Sequence, residues 1–264
     1  SKIIGKQEVK FKNRKIPISE AFGLLSSLKT KDRRGLNNEI NKKLIEVSDF
    51  SEAEINAVYT TKKISDELRG FKNPYQSTVK SYENEESVIE NLVKTVTDNY
   101  YISHRFYKIK AKLLREKKLE YADRAASVGS ISKNFSFEQA VFLVEKAYKK
   151  LGEKYTKIFQ GYLDNGQIDV YPKKGKKGGA YCWGTYGLPT FILLNQTDNY
   201  NSVLTLGHEM GHAIHSEFSH SQSPIYADYT MSVAETASTL FENFVFEEIY
   251  EGLSKKEKII ALHN

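Results

Sequence analysis

The chain of 264 residues contains a single cysteine, Cys182. One thiol excludes an intramolecular disulfide framework and fits a reducing compartment, with the cytoplasm as the default location. Long apolar runs are also missing. The longest aliphatic stretches, such as Phe191-Ile192-Leu193-Leu194, are far too short to span a bilayer, so no membrane partner is expected. The opening Ser1-Lys2-Ile3-Ile4-Gly5 runs into charged residues and shows neither a signal peptide nor an initiator methionine, and it reads as the start of a fragment. There is no internal repeat and no low-complexity linker. A composition 40% hydrophobic and 27% charged excludes a disordered or collagen-like chain.

What remains is globular, with length enough for one large domain or two small ones. Lys and Arg number 39 against 33 Asp and Glu, a net charge of +6. A basic balance raises the question of nucleic acid. Most lysines, however, sit beside glutamates at helical spacing, as over 138–146, and read as solvated helix faces. The one dense run, Lys173-Lys174-Gly175-Lys176-Lys177-Gly178-Gly179, reads as a hairpin tip. No nucleic-acid partner is predicted.

From about residue 18 to about 163 the periodicity is almost wholly helical. Ser51-Glu52-Ala53-Glu54 and Ser136-Phe137-Glu138-Gln139 have the S-x-x-E/Q form of a capping box, and each predicts a helix start. Pro74 breaks the pattern, a long amphipathic segment covers about 86–119, and Asn165-Gly166 supplies a helix stop. The period then changes. Ile168-Asp169-Val170-Tyr171 alternates, and Ala180-Tyr181-Cys182-Trp183-Gly184-Thr185 and Thr190-Phe191-Ile192-Leu193-Leu194 are β-like runs between Gly- and Pro-containing turns. Two more helices are predicted at about 202–218 and 232–251, joined by a polar loop over 219–228. The expected fold is mostly α with a small β-sheet, an α+β arrangement. It comprises a helical part over 1–166, then the sheet and two helices over 167–264.

The chemistry concentrates in Gly207-His208-Glu209-Met210-Gly211-His212, an H-E-x-x-H pattern. Four residues on an α-helix turn through about 400°, so His208 and His212 lie one above the other and their imidazoles can share a metal ion. Glu209 is about 100° round from His208, near enough to reach a water at that metal without ligating it. Val203, Leu204 and Leu206 pack the rest of this helix in a core. Zinc requires a third protein ligand and keeps a fourth position for water. His215 lies three residues beyond His212 and is too close in sequence to close the site from another direction, so it reads as a residue supporting the ligands or as a satisfied core histidine. His220 is a further candidate for the third ligand, although its surroundings are those of a solvated turn. Glu235, 23 residues after His212 near the start of the next helix, is a better third ligand, but Ser232-x-x-Glu235 is equally a capping box. Spacing alone leaves that choice open.

Gly179-Ala180-Tyr181-Cys182-Trp183-Gly184, Phe191-Ile192-Leu193-Leu194-Asn195, His208-Glu209-Met210-Gly211-His212-Ala213-Ile214-His215-Ser216 and the run from Tyr226 through Val233-Ala234-Glu235-Thr236-Ala237-Ser238 occur in order. Together they resemble the oligoendopeptidase F group of the thimet oligopeptidase family of zinc peptidases, densely over about 171–243 and more loosely in the helical part. The resemblance implies a zincin-like metallopeptidase core within a larger helical catalytic domain, one zinc ion per chain, and short unfolded peptides as substrates. It maps His208, His212 and Glu235 onto the zinc ligands and Glu209 onto the catalytic glutamate. It also implies a His and a Tyr that donate to the oxyanion from a segment beyond His263-Asn264. The expectation is therefore a piece truncated at both ends, with a zinc- and peptide-binding module that lacks turnover as the alternative.

Zinc-bound histidines usually donate their second N–H to an acceptor, and Asp228 and Glu242 are the candidates, Glu242 being seven residues from Glu235 on the same helix face. The β-like run offers a strand edge to an extended peptide. Gly178, Gly179 and Gly184 would allow close backbone approach, with Tyr181 as pocket wall, although turn geometry is the commoner use of glycine. Cleavage preference and oligomeric state have no signature, and the ligand types only bias the choice of zinc over cobalt or manganese.

Overall fold

The computed structural model describes residues 2–129, 131, 134–173 and 176–263, and it is mostly helical with two small sheets. Packing divides the chain into two units, Ser1–Val128 and Gly129–Asn264. Residues 129–166 thus pack with the sheet and the later helices, whereas the change of hydrophobic period falls at 166/167; the two divisions describe different properties.

In the first unit α1 (Lys2–Gly5) leads into an antiparallel hairpin of β1 (Glu8–Phe11) and β2 (Arg14–Pro17), with Val9 opposite Ile16. No strand was expected here, because four-residue strands carry too few alternations to register as a period. The hairpin, α2 (Ile18–Leu24) and α3 (Thr30–Ile45) close on a small core that includes Val9, Ile16, Leu36 and Ile40. A 3-10 turn at Tyr121–Ala125 is tied to α3 by ion pairs: fully buried Asp123 accepts from Arg33 Nη2 at 2.8 Å and Arg34 Nη2 at 2.6 Å. Burial pushes the Asp123 carboxyl up, but bonds from Arg34, the Glu120 backbone N–H and Arg33 outweigh it and hold the group at about 2.

The capping box expected at Ser51 is not used. Helix α4 runs Ser48–Leu68, and the Ser51 hydroxyl donates to the Val47 carbonyl at 3.2 Å, so it back-bonds inside the first turn. Pro74 lies in the break before α5 (Gln76–Ser81). The single segment expected over 86–119 is two shorter helices, α6 (Glu86–Asp98) and α7 (Tyr100–Leu113). Asn99 divides them, its amide bonding back to the Thr95 carbonyl at 2.8 Å. Helix α7 stops early in a Schellman closure, with Arg115 at φ 59° and Glu116 N–H on the Ala111 carbonyl at 2.9 Å.

In the second unit α8 (Phe137–Leu151) starts at its expected cap, Ser136 Oγ accepting from Gln139 N–H, and α9 (Glu153–Asp164) ends at Gly166, φ 65°. Strands β3 (Ile168–Asp169), β4 (Tyr181–Trp183) and β5 (Phe191–Leu193) follow. Strand β5 is central, parallel to β3 and antiparallel to β4. The basic run therefore is not a hairpin tip, because β3 and β4, which it joins, do not pair. Lys174 and Gly175 lie outside the described residues. Lys176 folds its ammonium back onto the Asp169 and Tyr171 carbonyls, each at 2.9 Å, which satisfies a nearly buried charge.

Helices α10 (Tyr200–Ser219) and α11 (Met231–Glu251) match expectation within two residues, and α12 (Lys255–His263) is an addition. Asn199 caps α10, its Oδ1 accepting from Ser202 N–H at 3.0 Å. Leu206, Met210 and Ile214 of α10 pack in one buried cluster with Tyr148, Phe159, Ile192 and Val245. Each such side chain contributes about 1.5–3 kcal/mol on burial, and the cluster holds the motif helix rigidly. Among the described residues no helix is long and apolar enough to cross a membrane.

Candidate metal centre

The site is built by the crossing of α10 and α11. Gly207 and Gly211 face α11 one turn apart. A Cβ on Gly211 would stand 2.7 Å from Ser238 Cα, and one on Gly207 2.8 Å from Val245 Cγ2. Glycine in a helix interior costs about 1 kcal/mol relative to alanine; here it lets two helix backbones meet. That approach brings Glu235 over the two histidines.

His208 Nε2 lies 3.4 Å and His212 Nε2 3.7 Å from the same oxygen, Oε2 of Glu235. The three donor atoms lie within 4.8 Å of one another, and the imidazoles meet edge to face with centroids 4.9 Å apart. Zinc bonds of about 2.0–2.2 Å in a tetrahedron require donor atoms about 3.3–3.6 Å apart, so this set fits a zinc ion with little movement. Helix α11 begins at Met231 after an N-cap at Thr230, which puts Val233, not Glu235, at the third position. The capping alternative for Glu235 is thus not used. Its carboxylate instead accepts from Ser238 Oγ at 2.9 Å, an orienting contact that the sequence did not announce.

Both imidazoles are oriented from behind. His208 Nδ1 lies 2.9 Å from Glu242 Oε2, and the His212 ring bonds the backbone of Ala234. Burial lowers the His212 pKa, with Glu235 opposing, and the neutral imidazole is the form that ligates. Glu209 is 6% exposed. Burial raises its pKa, with His208 and the Cys182 backbone N–H opposing and Glu235 reinforcing. The Cys182 thiol is itself pushed up to about 12, by burial first and then by Glu209 and Glu217, and stays protonated.

The other residues singled out in the sequence are placed elsewhere. His215 stacks on Tyr229 with centroids 4.0 Å apart, and Asp228 accepts from the Tyr229 N–H at 3.1 Å. His220 packs edge-on against Tyr186. None of the three joins the donor set. Tyr181 is exposed on β4, under the Lys177 ammonium at 5.3 Å. Gly178 is exposed, and Gly179 turns at φ 80° beside an open space, its carbonyl accepting from Asn195 Nδ2 at 2.7 Å. Gly184 has a packing role, since a Cβ there would collide with Thr190. A cavity of about 590 Å³ opens beside His208 and Glu209, between the N-terminal half of α10 and Glu242 and Phe246 of α11.

This crossing sets a carboxylate of one helix over two imidazoles of the other, a donor set that could hold a metal ion. A model of Peptidase family M3 matches residues 27–262, and the chain belongs to that family. It is 31% identical over 199 residues to oligopeptidase PepF of Bacillus subtilis, covering 75% of this chain and 30% of the relative. It is 33% identical over 180 residues to group B oligopeptidase PepB of Streptococcus agalactiae, covering 68% and 30%. The chain thus spans about a third of the length of these curated relatives. Among solved structures, PZ peptidase A with an inhibitor superposes with a TM-score of 0.83 at 18% identity, over 99% of this chain and 48% of that one. Oligoendopeptidase F from Enterococcus faecium gives 0.56 at 20%, over 94% and 38%. The shared fold is that of oligoendopeptidase F.

Proposed function

We propose that this chain carries the zinc-binding centre of a metalloendopeptidase that hydrolyses internal bonds of short peptides, with the cytoplasm as its compartment. The observation that carries the reading is the convergence of two imidazole nitrogens on one carboxylate oxygen, 3.4 and 3.7 Å away, with a buried glutamate alongside. His208, His212 and Glu235 would hold the ion. When bound, zinc supplies Lewis acidity, which brings the pKa of a water toward neutrality and polarises a peptide carbonyl.

The chain's own residues do the rest. Glu209 takes the proton of the attacking water and returns it to the departing amine; its burial raises its proton affinity above that of a free carboxylate. The Cys182 N–H holds that carboxylate from the sheet side. Glu242 and the Ala234 backbone fix the imidazoles, and Ser238 fixes Glu235. Strand β4 pairs with β5 on one side only, among the described residues, and its other edge would add an extended peptide as a further strand through groups other than the Cys182 N–H, which Glu209 occupies. Tyr181 and the turn at Gly178 and Gly179 flank that edge.

The deciding experiment measures zinc in the purified chain beside cleavage of a quenched fluorescent peptide, before and after chelation. One zinc per chain and chelator-sensitive cleavage are expected. Glu209→Gln is expected to keep the zinc and to lose about 10²–10⁴-fold in kcat; full activity in that variant would remove Glu209 from its role. Absence of zinc after reconstitution would sink the reading. The span of about a third of the relatives favours one second reading, a peptide-binding centre that holds zinc without turnover. Stoichiometric zinc and saturable peptide binding with no cleavage would select it.

A further inference from the structure

The outer face of the three-stranded sheet carries aromatic side chains in water. Along β4 the side chains alternate: Cys182 packs inward against the core, and Tyr181 and Trp183 stand on the opposite face. Trp183 is the cross-strand partner of Phe191, and the two are 56% and 49% exposed. Tyr181 is 39% exposed. A solvated sheet face ordinarily carries polar side chains, so these rings depart from the usual pattern.

The hydrogen bonds of β5 show which way β4 points its backbone. The Ile192 and Leu194 N–H groups donate toward β3, to the Gln167 and Asp169 carbonyls at 2.9 and 2.8 Å. Phe191 and Leu193 therefore face β4, where they pair with Trp183 and Tyr181. Ala180, Cys182 and Gly184 are left to present their backbone groups to the free edge, and there the Cys182 N–H meets the Glu209 carboxylate. The two exposed rings thus flank the residue that holds the candidate general base. An extended peptide on this edge can still use the Cys182 carbonyl and the backbone groups of Ala180 and Gly184. Its side chains alternate between the two faces. One set turns inward toward α10, and the other joins the row of Tyr181 and Trp183, with opposite Cβ atoms about 4.5–5.5 Å apart.

We infer that Trp183 is a specificity-determining residue, which selects an aromatic or large apolar side chain on the outward-facing positions of a peptide laid along β4. Such a side chain covers the indole from the free edge, in the row that Phe191 continues on the other side. Tyr181 ranks second, because the Lys177 ammonium already lies 5.3 Å from its ring. The inference rests on the peptidase reading, since a substrate peptide is what brings a side chain to this edge.

Trp183 is the single tryptophan of the chain, so its fluorescence reports this spot alone. The test titrates short tryptophan-free peptides, with Phe stepped through an alanine background, into the Glu209→Gln chain with zinc and without it. Phe at one position is expected to tighten binding about three- to tenfold over Ala and to shift the Trp183 emission to the blue. Trp183→Ala, read by anisotropy of a labelled peptide, is expected to erase that Phe-to-Ala ratio, and Trp183→Phe to keep most of it. The melting temperature of both variants is expected to stay close to that of the parent, because the indole is already half in water. Saturated binding with an unmoved Trp183 emission would overturn the inference, and so would a Phe-to-Ala ratio that survives Trp183→Ala or a failure of every peptide to bind. A clear fall in melting temperature in both variants would make the indole a packing residue and overturn it as well. The two proposals fail separately. Zinc-dependent cleavage with an unchanged ratio in Trp183→Ala keeps the peptidase and removes this role, whereas absence of zinc with a Phe preference and a Trp183 shift sinks the metal chemistry and keeps the peptide site.

Discussion

In residues 129–264 the apolar faces of the helices close on one another. Val144 and Tyr148 of α8, Leu206, Met210 and Ile214 of α10, and Val245 and Ile249 of α11 are buried in one cluster. Residues 1–128 use helical sequence of similar pattern to a different end. Their buried cluster is seven residues around the hairpin and α3, and α6 buries no residue at all, with Val88, Leu92 and Val96 in register on an exposed stripe. What replaces apolar burial there is an ionic clamp, Arg33 and Arg34 on Asp123. An amphipathic period thus states which face of a helix seeks apolar neighbours, and it is silent on whether the unit supplies them. The unit that does supply them is the one that carries the candidate metal centre, where donor atoms would need a rigid frame.

The contrast can be broken at four points. The largest effect is expected from Asp123→Ala, which leaves Arg33 buried without its partner; chemical denaturation should show a loss of about 3–5 kcal/mol. The same group gives the wild type an acid limb. Its pKa is depressed in the folded state to about 2, so its contribution is complete above the ordinary carboxylate pKa near 3.8 and is lost as pH falls toward 2. A shift of that size corresponds to about 2 kcal/mol, and Asp123→Asn should flatten that limb. If neither variant moves the transition, the clamp does not hold the first unit.

Leu206→Ala comes next, with about 2–5 kcal/mol lost from the second unit's cluster, read by urea denaturation. Gly211→Ala is expected to cost about 1–3 kcal/mol as α11 is pushed back at Ser238, and its sharper readout is metal. Zinc affinity should fall at least about tenfold because Glu235 rides on α11. Unchanged affinity would show that the helix approach is not what sets the donor spacing. The smallest effect is Leu92→Ala on α6, expected within about 0.5 kcal/mol because its side chain is already in water. A loss as large as that of Leu206→Ala would place an apolar neighbour on that face.

Much of the centre was legible because it is local. The four-residue spacing of His208 and His212 is a property of any α-helix, so their shared face followed from the motif, and the cap at Ser136 and the stop at Gly166 likewise depend on neighbours in the chain. Glu235 was different. From spacing alone it was as good a cap as a ligand, and a family resemblance, not the residues' geometry, pointed to the ligand role. The N-cap of α11 at Thr230, two residues before Ser232, removed that role. Gly207 and Gly211 carried a readable signal, two costly glycines one turn apart inside a helix, and it was passed over. The hairpin at 8–17 and the break at Asn99 were missed because each is decided by a few residues competing with a longer period.

The sequence by itself determined the motif helix, its two imidazoles on one face, the glutamate beside them and the succession of helices around a small sheet, since these rest on contacts within a few residues along the chain. Only the tertiary structure decided that Glu242 and not Asp228 stands behind His208 and that Glu235 reaches both imidazoles. Those facts depend on how closely α10 and α11 approach, a distance set by side-chain volume at Gly207 and Gly211 and by no residue's own preference for helix or turn.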